Sequence, residues 1–125
     1  MLNHSNAMAT IAVKDVARAR TFYVDQLGLQ PLDDGEPGLL TLRSGSSTVL
    51  VYPSPYAGSN QATAATWTVG DNIETLVTTL KDKGVAFEHY DLPDTTRQGD
   101  IHVSGERKVA WCKDPDGNIL CLVNA

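Results

Sequence analysis

One pattern occurs twice in this sequence, and it constrains the fold more than any other feature. The segments TIAVKDVARARTFYVDQLGL (10–29) and TWTVGDNIETLVTTLKDKGV (66–85) align without a gap at an offset of 56 positions. The matched identical residues are Thr10 and Thr66, Val13 and Val69, Asp15 and Asp71, and Gly28 and Gly84. Because self-similarity at a fixed offset is typical of repeated structural units, we predict two copies of one module.

Each copy carries the signals of a short strand followed by a helix. Asp15 and Asp71 stand where a side chain can cap a helix by accepting hydrogen bonds from its first backbone N–H groups, and Glu74 gives the second copy the spacing of a capping box. Gly28 and Gly84 follow at the position where a left-handed residue commonly ends a helix. Apolar residues recur between these signals at helical spacing, namely Val16, Ala19, Tyr23 and Leu27 in the first copy and Ile73, Leu76, Val77 and Leu80 in the second.

Three strand-like segments follow each predicted helix, so each copy reads β-α-β-β-β. They are LQPL, GLLTL and TVLVYP in the first copy and VAFEHY, RKVAWC and NILCLV in the second, where KDPDGN is a strong turn signal. We predict a loop at 91–106 and an exposed turn at 33–38. The expected α+β fold is one domain over 1–125, with module one at about 7–56, a linker at about 57–63 and module two at about 64–125.

Length, net charge and cysteine content limit the kinds of partner that such a domain can have. A chain of 125 residues can bury one hydrophobic core, and its net charge of −5 disfavours binding to nucleic acid or to an anionic membrane. No apolar segment approaches the roughly 20 residues of a membrane helix, the N-terminal MLNHSNAMATIAV lacks the pattern of a secretory signal, and two cysteines do not make a disulfide framework. We therefore expect a cytoplasmic protein whose partner is a small molecule or another protein.

The paired modules, with V-x-D, F-Y and L-G-L in the first helix region and D-P-D-G-N near the end, resemble the vicinal-oxygen-chelate superfamily. This group includes glyoxalase I, extradiol dioxygenases, fosfomycin-resistance enzymes and bleomycin-resistance proteins. The resemblance covers nearly the whole chain and implies two tandem βαβββ modules whose curved mixed sheets surround a central cavity. It also implies a homodimer, and it indicates the fold far better than the function.

Metal-using members of that superfamily hold a divalent ion with His, Gln or Glu side chains from both modules. The matching positions here are Met8, Leu50, Ala64 and Cys121. Hard ions need oxygen donors and zinc needs three or four good ligands, so we expect no metal or other cofactor. His4 would become a candidate metal ligand only if the first strand were shifted along the sequence. The alternative is a glyoxalase, lyase, isomerase or dioxygenase that uses zinc, nickel, manganese or iron.

Strand alternation and the resemblance together give candidates for the wall of the cavity. Cys121 is interpreted there as a small apolar filler, with a nucleophilic thiol as the alternative. His102 lies in the predicted 91–106 loop, which is placed to close over the cavity with Arg97 and Arg107. No catalytic residue is predicted. The predicted ligand-binding residues are Met8, Thr10, Leu50, Tyr52, Thr66, Thr68, Arg97, His102, Cys112, Ile119 and Cys121.

The two tryptophans are expected to pack under the helices rather than in the cavity. A turn at 114–117 would place Trp111 near Leu120 and would place Cys112 diagonal to Cys121, where a redox pair is conceivable. The leading hypothesis is a protein that, like the bleomycin-resistance proteins, sequesters or senses a neutral or aromatic molecule in the cavity between its modules, because the predicted wall carries apolar and hydroxyl side chains. A protein whose role lies in dimer contacts alone is a further alternative.

Overall fold

The computed structural model describes residues 1–32 and 37–125 and shows both predicted modules. Residues 33–36, within the predicted turn at 33–38, lie outside the described residues. Module one contains β1 (Ala9–Val13), α1 (Val16–Arg20) continued by a π-helix (Thr21–Gln26), β2 (Gln30–Pro31), β3 (Leu40–Ser44) and β4 (Ser47–Pro53). Module two contains β5 (Thr63–Thr68), α2 (Ile73–Asp82), β6 (Phe87–Glu88), β7 (Thr96–Gln98), β8 (Ile101–Ser104), β9 (Arg107–Lys113) and β10 (Ile119–Val123).

The two sheets repeat one pairing rule. Sheet one has the order β1-β4-β3-β2, and sheet two has the order β5-β10-β9-β8-β7. In each sheet the first strand of the module pairs in parallel with its last strand, β1 with β4 and β5 with β10, while the other pairs are antiparallel. The predicted α+β fold of two mixed sheets is therefore confirmed.

The first helix begins as the sequence predicts, whereas the second does not. The carboxylate of Asp15 accepts hydrogen bonds from the N–H groups of Ala17 and Arg18 at 2.9 and 3.2 Å. The expected cap at Asp71 is wrong, because a short 3-10 turn at Gly70–Asn72 precedes α2 and its N-cap residue, Asn72, makes no side-chain capping bond. Both helices nevertheless end at a glycine with positive φ, as predicted.

The predicted loop at 91–106 contains a β-hairpin, which corrects the sequence interpretation. Gln98 pairs with Ile101 across a turn at 99–100, and Gly99 takes the positive φ of 64° that such a turn requires. The hairpin is joined to α2 through Asp100, whose carboxylate lies 2.7 Å from the Lys81 ammonium and 2.7 Å from His89. Hydrogen bonds from Lys81 and then from His89 lower the pKa of Asp100.

The two modules share one hydrophobic core, which lies on the helix side of both sheets. It combines Leu42 and Val51 of sheet one with Leu120 and Leu122 of sheet two, all buried. Module two also binds the end of β1 directly, since the Asn118 amide donates to the carbonyl of Ala12 at 2.7 Å. The described residues include no helix whose length and apolarity would let it cross a membrane.

A buried carboxylate organises the turn between β9 and β10. Asp114 is 5% exposed and accepts four hydrogen bonds, from the Tyr23 hydroxyl, the Asn118 amide group and the N–H groups of Asp116 and Asn118. The N–H of Asp114 also donates to the carbonyl of Asn118. These bonds hold residues 114–118 as a five-residue loop, and Lys113 therefore pairs with Ile119.

Candidate ligand-binding site

Each sheet has one face turned away from the helices, which we call its open face. On sheet one, Thr10 lies opposite Leu50 and Ala12 lies opposite Tyr52. Thr10 is exposed, and Leu50 and Tyr52 are half-buried. The open face of sheet one is thus a solvent-accessible surface of hydroxyl and apolar side chains.

The open face of sheet two carries a second apolar cluster, separate from the main core. Thr66 lies opposite Cys121 and Thr68 lies opposite Val123, with both threonines exposed. Cys121 and Val123 are buried together with Val109, and the half-buried Trp111 packs against all three. This second cluster is formed by module two alone and lies on the face that the predicted cavity would use.

The position of Trp111 corrects the sequence prediction. Trp111 pairs with Cys121, not with Leu120, and therefore lies on the open face. Trp67 is placed as predicted, because it packs against the main core on the helix side. The prediction assumed a four-residue loop at 114–117, whereas the loop between β9 and β10 has five residues, 114–118. A shift of one residue in strand pairing moves every side chain of a strand to the opposite face.

Around Trp111, aromatic side chains from three segments meet. The ring centroids of Trp111 and His102 lie 4.9 Å apart, and those of Trp111 and Tyr90 lie 5.3 Å apart, both in edge-to-face arrangement. His102 is only 2% exposed, and its Nε2 accepts a hydrogen bond from the N–H of Tyr90 at 2.9 Å. The cluster fixes one wall of a binding site with little side-chain freedom.

Two adjoining cavities lie over this cluster. The first, called here the Trp111 pocket, has a volume of about 250 Å³ and is lined by Leu92, Thr95, His102, Ser104, Arg107, Val109 and Trp111. The second has a volume of about 260 Å³ and includes Tyr90, Arg97 and again His102. Arg97 lies opposite His102 in the β7–β8 pairing, and its guanidinium donates to the carbonyl of Gly99 at 3.0 Å. His102 therefore lines both cavities, together with Leu92 and Thr95.

Cys112 and Cys121 lie on opposite faces of sheet two, which excludes the conceived redox pair in this arrangement. Cys112 lines an apolar cavity of about 170 Å³ between α2 and the sheet, together with Trp67, Leu120 and Leu122. Burial, followed by the nearby charge of Asp114, raises the pKa of Cys112 to about 12. Burial also raises the pKa of Cys121, although the Thr66 hydroxyl and the charge of Arg107 act in the opposite direction.

Both thiols are expected to be unreactive in the native protein. With a pKa of about 12, only about one Cys112 thiol in ten thousand is ionised at pH 8, and the thiolate is the nucleophile. A native sample treated with a disulfide reagent such as Ellman's reagent should release almost no chromophore. The same sample in guanidinium chloride should titrate two thiols. Rapid release of one equivalent by native protein, lost in Cys121→Ser, would instead establish a reactive thiol at Cys121.

The residues at the superfamily's metal positions do not fit a divalent ion. They offer a thioether at Met8, an isobutyl group at Leu50, a methyl group at Ala64 and a thiol at Cys121. Cys121 alone supplies a donor that zinc favours, whereas a stable zinc site needs three or four ligands. Within 1–32 and 37–125, no three His, Cys, Asp or Glu side chains are grouped so that they could hold a metal ion.

The predicted ligand-binding residues do not all meet at one site. Arg97, His102 and Cys121 lie around the Trp111 cluster, with Thr66 and Thr68 on the neighbouring strand. Met8 borders a cavity of about 620 Å³ at the start of sheet one, together with Ser47 and Thr48. Ile119 begins β10 opposite Lys113. Sequence reasoning missed Trp111, Val109 and Leu92, of which the first two follow from the correct β9–β10 register.

Comparison with known proteins identifies the fold and the family. An integron cassette protein from the mobile metagenome of the Halifax Harbour sewage outfall is 19% identical, with a TM-score of 0.70 over 94% of this chain and 96% of that one. TnmS3, an antibiotic binding protein from Streptomyces sp. CB03234, is 20% identical, with a TM-score of 0.63 over 92% and 90% of the chains. The fosfomycin resistance protein FosX from Mesorhizobium loti is 11% identical, with a TM-score of 0.71 over 100% and 94%.

These likenesses establish the shared fold. No curated protein matches the sequence significantly. Residues 2–122, nearly the whole chain, match the family described as the Glyoxalase/Bleomycin resistance protein/Dioxygenase superfamily. The chain therefore belongs to the glyoxalase/bleomycin resistance protein/dioxygenase superfamily, as the resemblance of its sequence predicts.

Proposed function

We propose that this protein binds a small, neutral aromatic molecule in the Trp111 pocket and sequesters or senses it. The observation that carries the proposal is the composition of the pocket, which has Trp111, Val109 and Leu92 as an apolar wall and few polar groups. Ligand sites are typically apolar cavities with a small number of placed polar groups. Among the described lining residues Arg107 is the charged one, and it is exposed.

The size and surroundings of the pocket favour a compact ring system. Its volume of about 250 Å³ suits a molecule of one or two fused rings, slightly below the roughly 300 Å³ at which typical ligand pockets begin. Trp111 presents a half-buried indole for edge-to-face or offset stacking with such a ring. A larger ligand would extend over the exposed threonines of β5.

The comparisons support binding without deciding the ligand. TnmS3 is described as an antibiotic binding protein and shares the fold of this chain. A metal-dependent reaction is the weaker alternative, because the side chains at the superfamily's metal positions do not offer the donors that such an ion needs. The expected homodimer stays a prediction, which sedimentation velocity would test.

Two single-tryptophan variants test where an aromatic molecule binds. Trp67→Phe keeps Trp111 as the fluorophore of the proposed pocket, and Trp111→Phe keeps Trp67 beside the cavity under α2. We expect indane or indanone, titrated after a thermal-shift screen, to change the emission of Trp67→Phe and to leave that of Trp111→Phe nearly constant.

Circular dichroism of both variants provides the control for folding. A response confined to Trp111→Phe would place the ligand in the cavity under α2 and would contradict the proposed site. A set of neutral aromatic compounds that changes neither the emission nor the melting temperature would contradict the proposed function.

A further inference from the structure

We infer that the site recognises a carbonyl-type hydrogen-bond acceptor on its aromatic ligand, through the imidazole of His102 and the hydroxyl of Tyr90. This inference rests on the proposed function and narrows it to a chemical class, namely aromatic ketones, quinones and related ring carbonyls. Two buried polar atoms carry it. Within the described part of the chain, neither His102 Nδ1 nor Tyr90 Oη has a hydrogen-bond partner.

The backbone fixes which nitrogen of His102 carries the proton. The N–H of Tyr90 can only donate, and it donates to His102 Nε2 at 2.9 Å. Nε2 is therefore the acceptor, and the proton of the neutral ring is on Nδ1. His102 consequently offers one N–H donor in a side chain that is 98% buried, since its exposed fraction is 2%.

The phenol of Tyr90 provides a second donor beside the first. The Tyr90 and His102 rings lie 6.2 Å apart between centroids, at an angle of 31°, and both residues line the second cavity. Buried donors without partners cost free energy in the free protein. A ligand with a hydrogen-bond acceptor would pair these donors and remove the cost. A ligand without an acceptor would leave the donors unpaired.

The shape of the site specifies the rest of the ligand. Trp111 lies 4.9 Å from His102 between ring centroids, so a ring packed against the indole would direct a substituent toward the imidazole. The second cavity has one acidic and one basic lining residue, Asp91 and Arg97, so its charges favour neither an anion nor a cation, and the unpartnered donors point to a neutral acceptor. The segment at 91–95, which lines both cavities with Leu92 and Thr95, lies outside any strand or helix.

A matched pair of probes tests the inference. Indanone and indane share the same fused rings and differ in one ring carbonyl. We expect the wild-type protein to bind indanone about tenfold more tightly than indane, and Tyr90→Phe to reduce this ratio several-fold. Tyr56→Phe is the matched control, because Tyr56 is 80% exposed and lies outside both cavity linings, just before the linker, and it should leave the ratio unchanged.

Two further readouts separate recognition from stability. The melting temperature of Tyr90→Phe without ligand should equal or exceed that of the wild type, since the deleted hydroxyl has no partner to lose; a clear decrease would count against the inference. In long-range proton–nitrogen spectra, His102 should show the Nδ1–H tautomer, and indanone but not indane should shift that signal.

Failure of the inference is distinguishable from failure of the proposed function. If both probes change the emission of Trp67→Phe with equal affinity, the aromatic site stands and acceptor recognition is overturned. If neither probe affects Trp111, the proposed function is overturned and the inference with it.

Discussion

Replacing Asp114 with alanine is expected to lower the free energy of unfolding by about 3–5 kcal/mol. The carboxylate accepts bonds from the Tyr23 hydroxyl and the Asn118 amide, each at 2.7 Å, and from two backbone N–H groups at 2.9 Å. Alanine would leave all four donors without this acceptor in a buried site. The 114–118 loop sets the β9–β10 register and would lose the acceptor that its hydrogen bonds share. We therefore expect the substitution to disturb the Trp111 pocket as well.

Urea denaturation measures this loss, and Tyr23→Phe provides the comparison. Phenylalanine keeps the buried ring and removes one of the four hydrogen bonds, so we expect a loss of about 1–2 kcal/mol. The hydroxyl is held protonated in the native protein, because burial and then the charge of Asp114 raise the pKa of Tyr23 well above its usual range. A loss for Asp114→Ala no larger than that for Tyr23→Phe would show that the carboxylate is not the organising group.

The second large effect is expected at Gly58, in the linker between the modules. A Cβ at this position would lie 1.9 Å from the carbonyl oxygen of Asp116 and 3.0 Å from its carbonyl carbon. Both atoms belong to the backbone, so no rotamer change can relieve the overlap. We expect Gly58→Ala to lower the free energy of unfolding by about 3–5 kcal/mol, or to displace the linker from the 114–118 loop.

Gly28→Ala is the matched control for Gly58→Ala. The two glycines have similar positive φ values, 79° for Gly28 and 73° for Gly58, but no atom lies within 4 Å of a Cβ at Gly28. Gly28→Ala should therefore cost only the left-handed strain, about 1–2 kcal/mol. If the two variants lost the same stability in urea denaturation, the close approach of Gly58 to Asp116 would not be what constrains the linker.

The repeat made most of the fold predictable from the sequence. Strand, cap and terminal glycine recur at the same offset, and the structure confirms them in module one through Asp15 and Gly28. The same logic fails at Asp71, because a 3-10 turn shifts the start of α2 and moves the N-cap to Asn72. A sequence repeat thus predicts the order of the strands and helices better than it predicts the local contacts at their ends.

The candidate site was less predictable, because its geometry depends on one residue of loop length. The interpretation of a turn at 114–117 placed Trp111 under the helices, whereas the five-residue loop places it opposite Cys121. The buried carboxylate that closes the loop is bonded by Tyr23, which is distant in sequence, so the turn signal alone does not determine the loop length. The β7–β8 hairpin had a local signal, the Gly99–Asp100 pair, between residues that favour strands.

The strand order of sheet two also governs when this protein can fold during its synthesis. β10 lies between β5 and β9, so neither of these strands has its principal partner until Ile119–Val123 has left the ribosome. Module one closes earlier, because β4 follows β1 and β3 and pairs with both. The Tyr23 hydroxyl of module one nevertheless bonds to Asp114, which is synthesised only with the later part of module two. The nascent chain consequently holds a half-formed core while module two is translated, and the aggregation risk of expression concentrates in that interval.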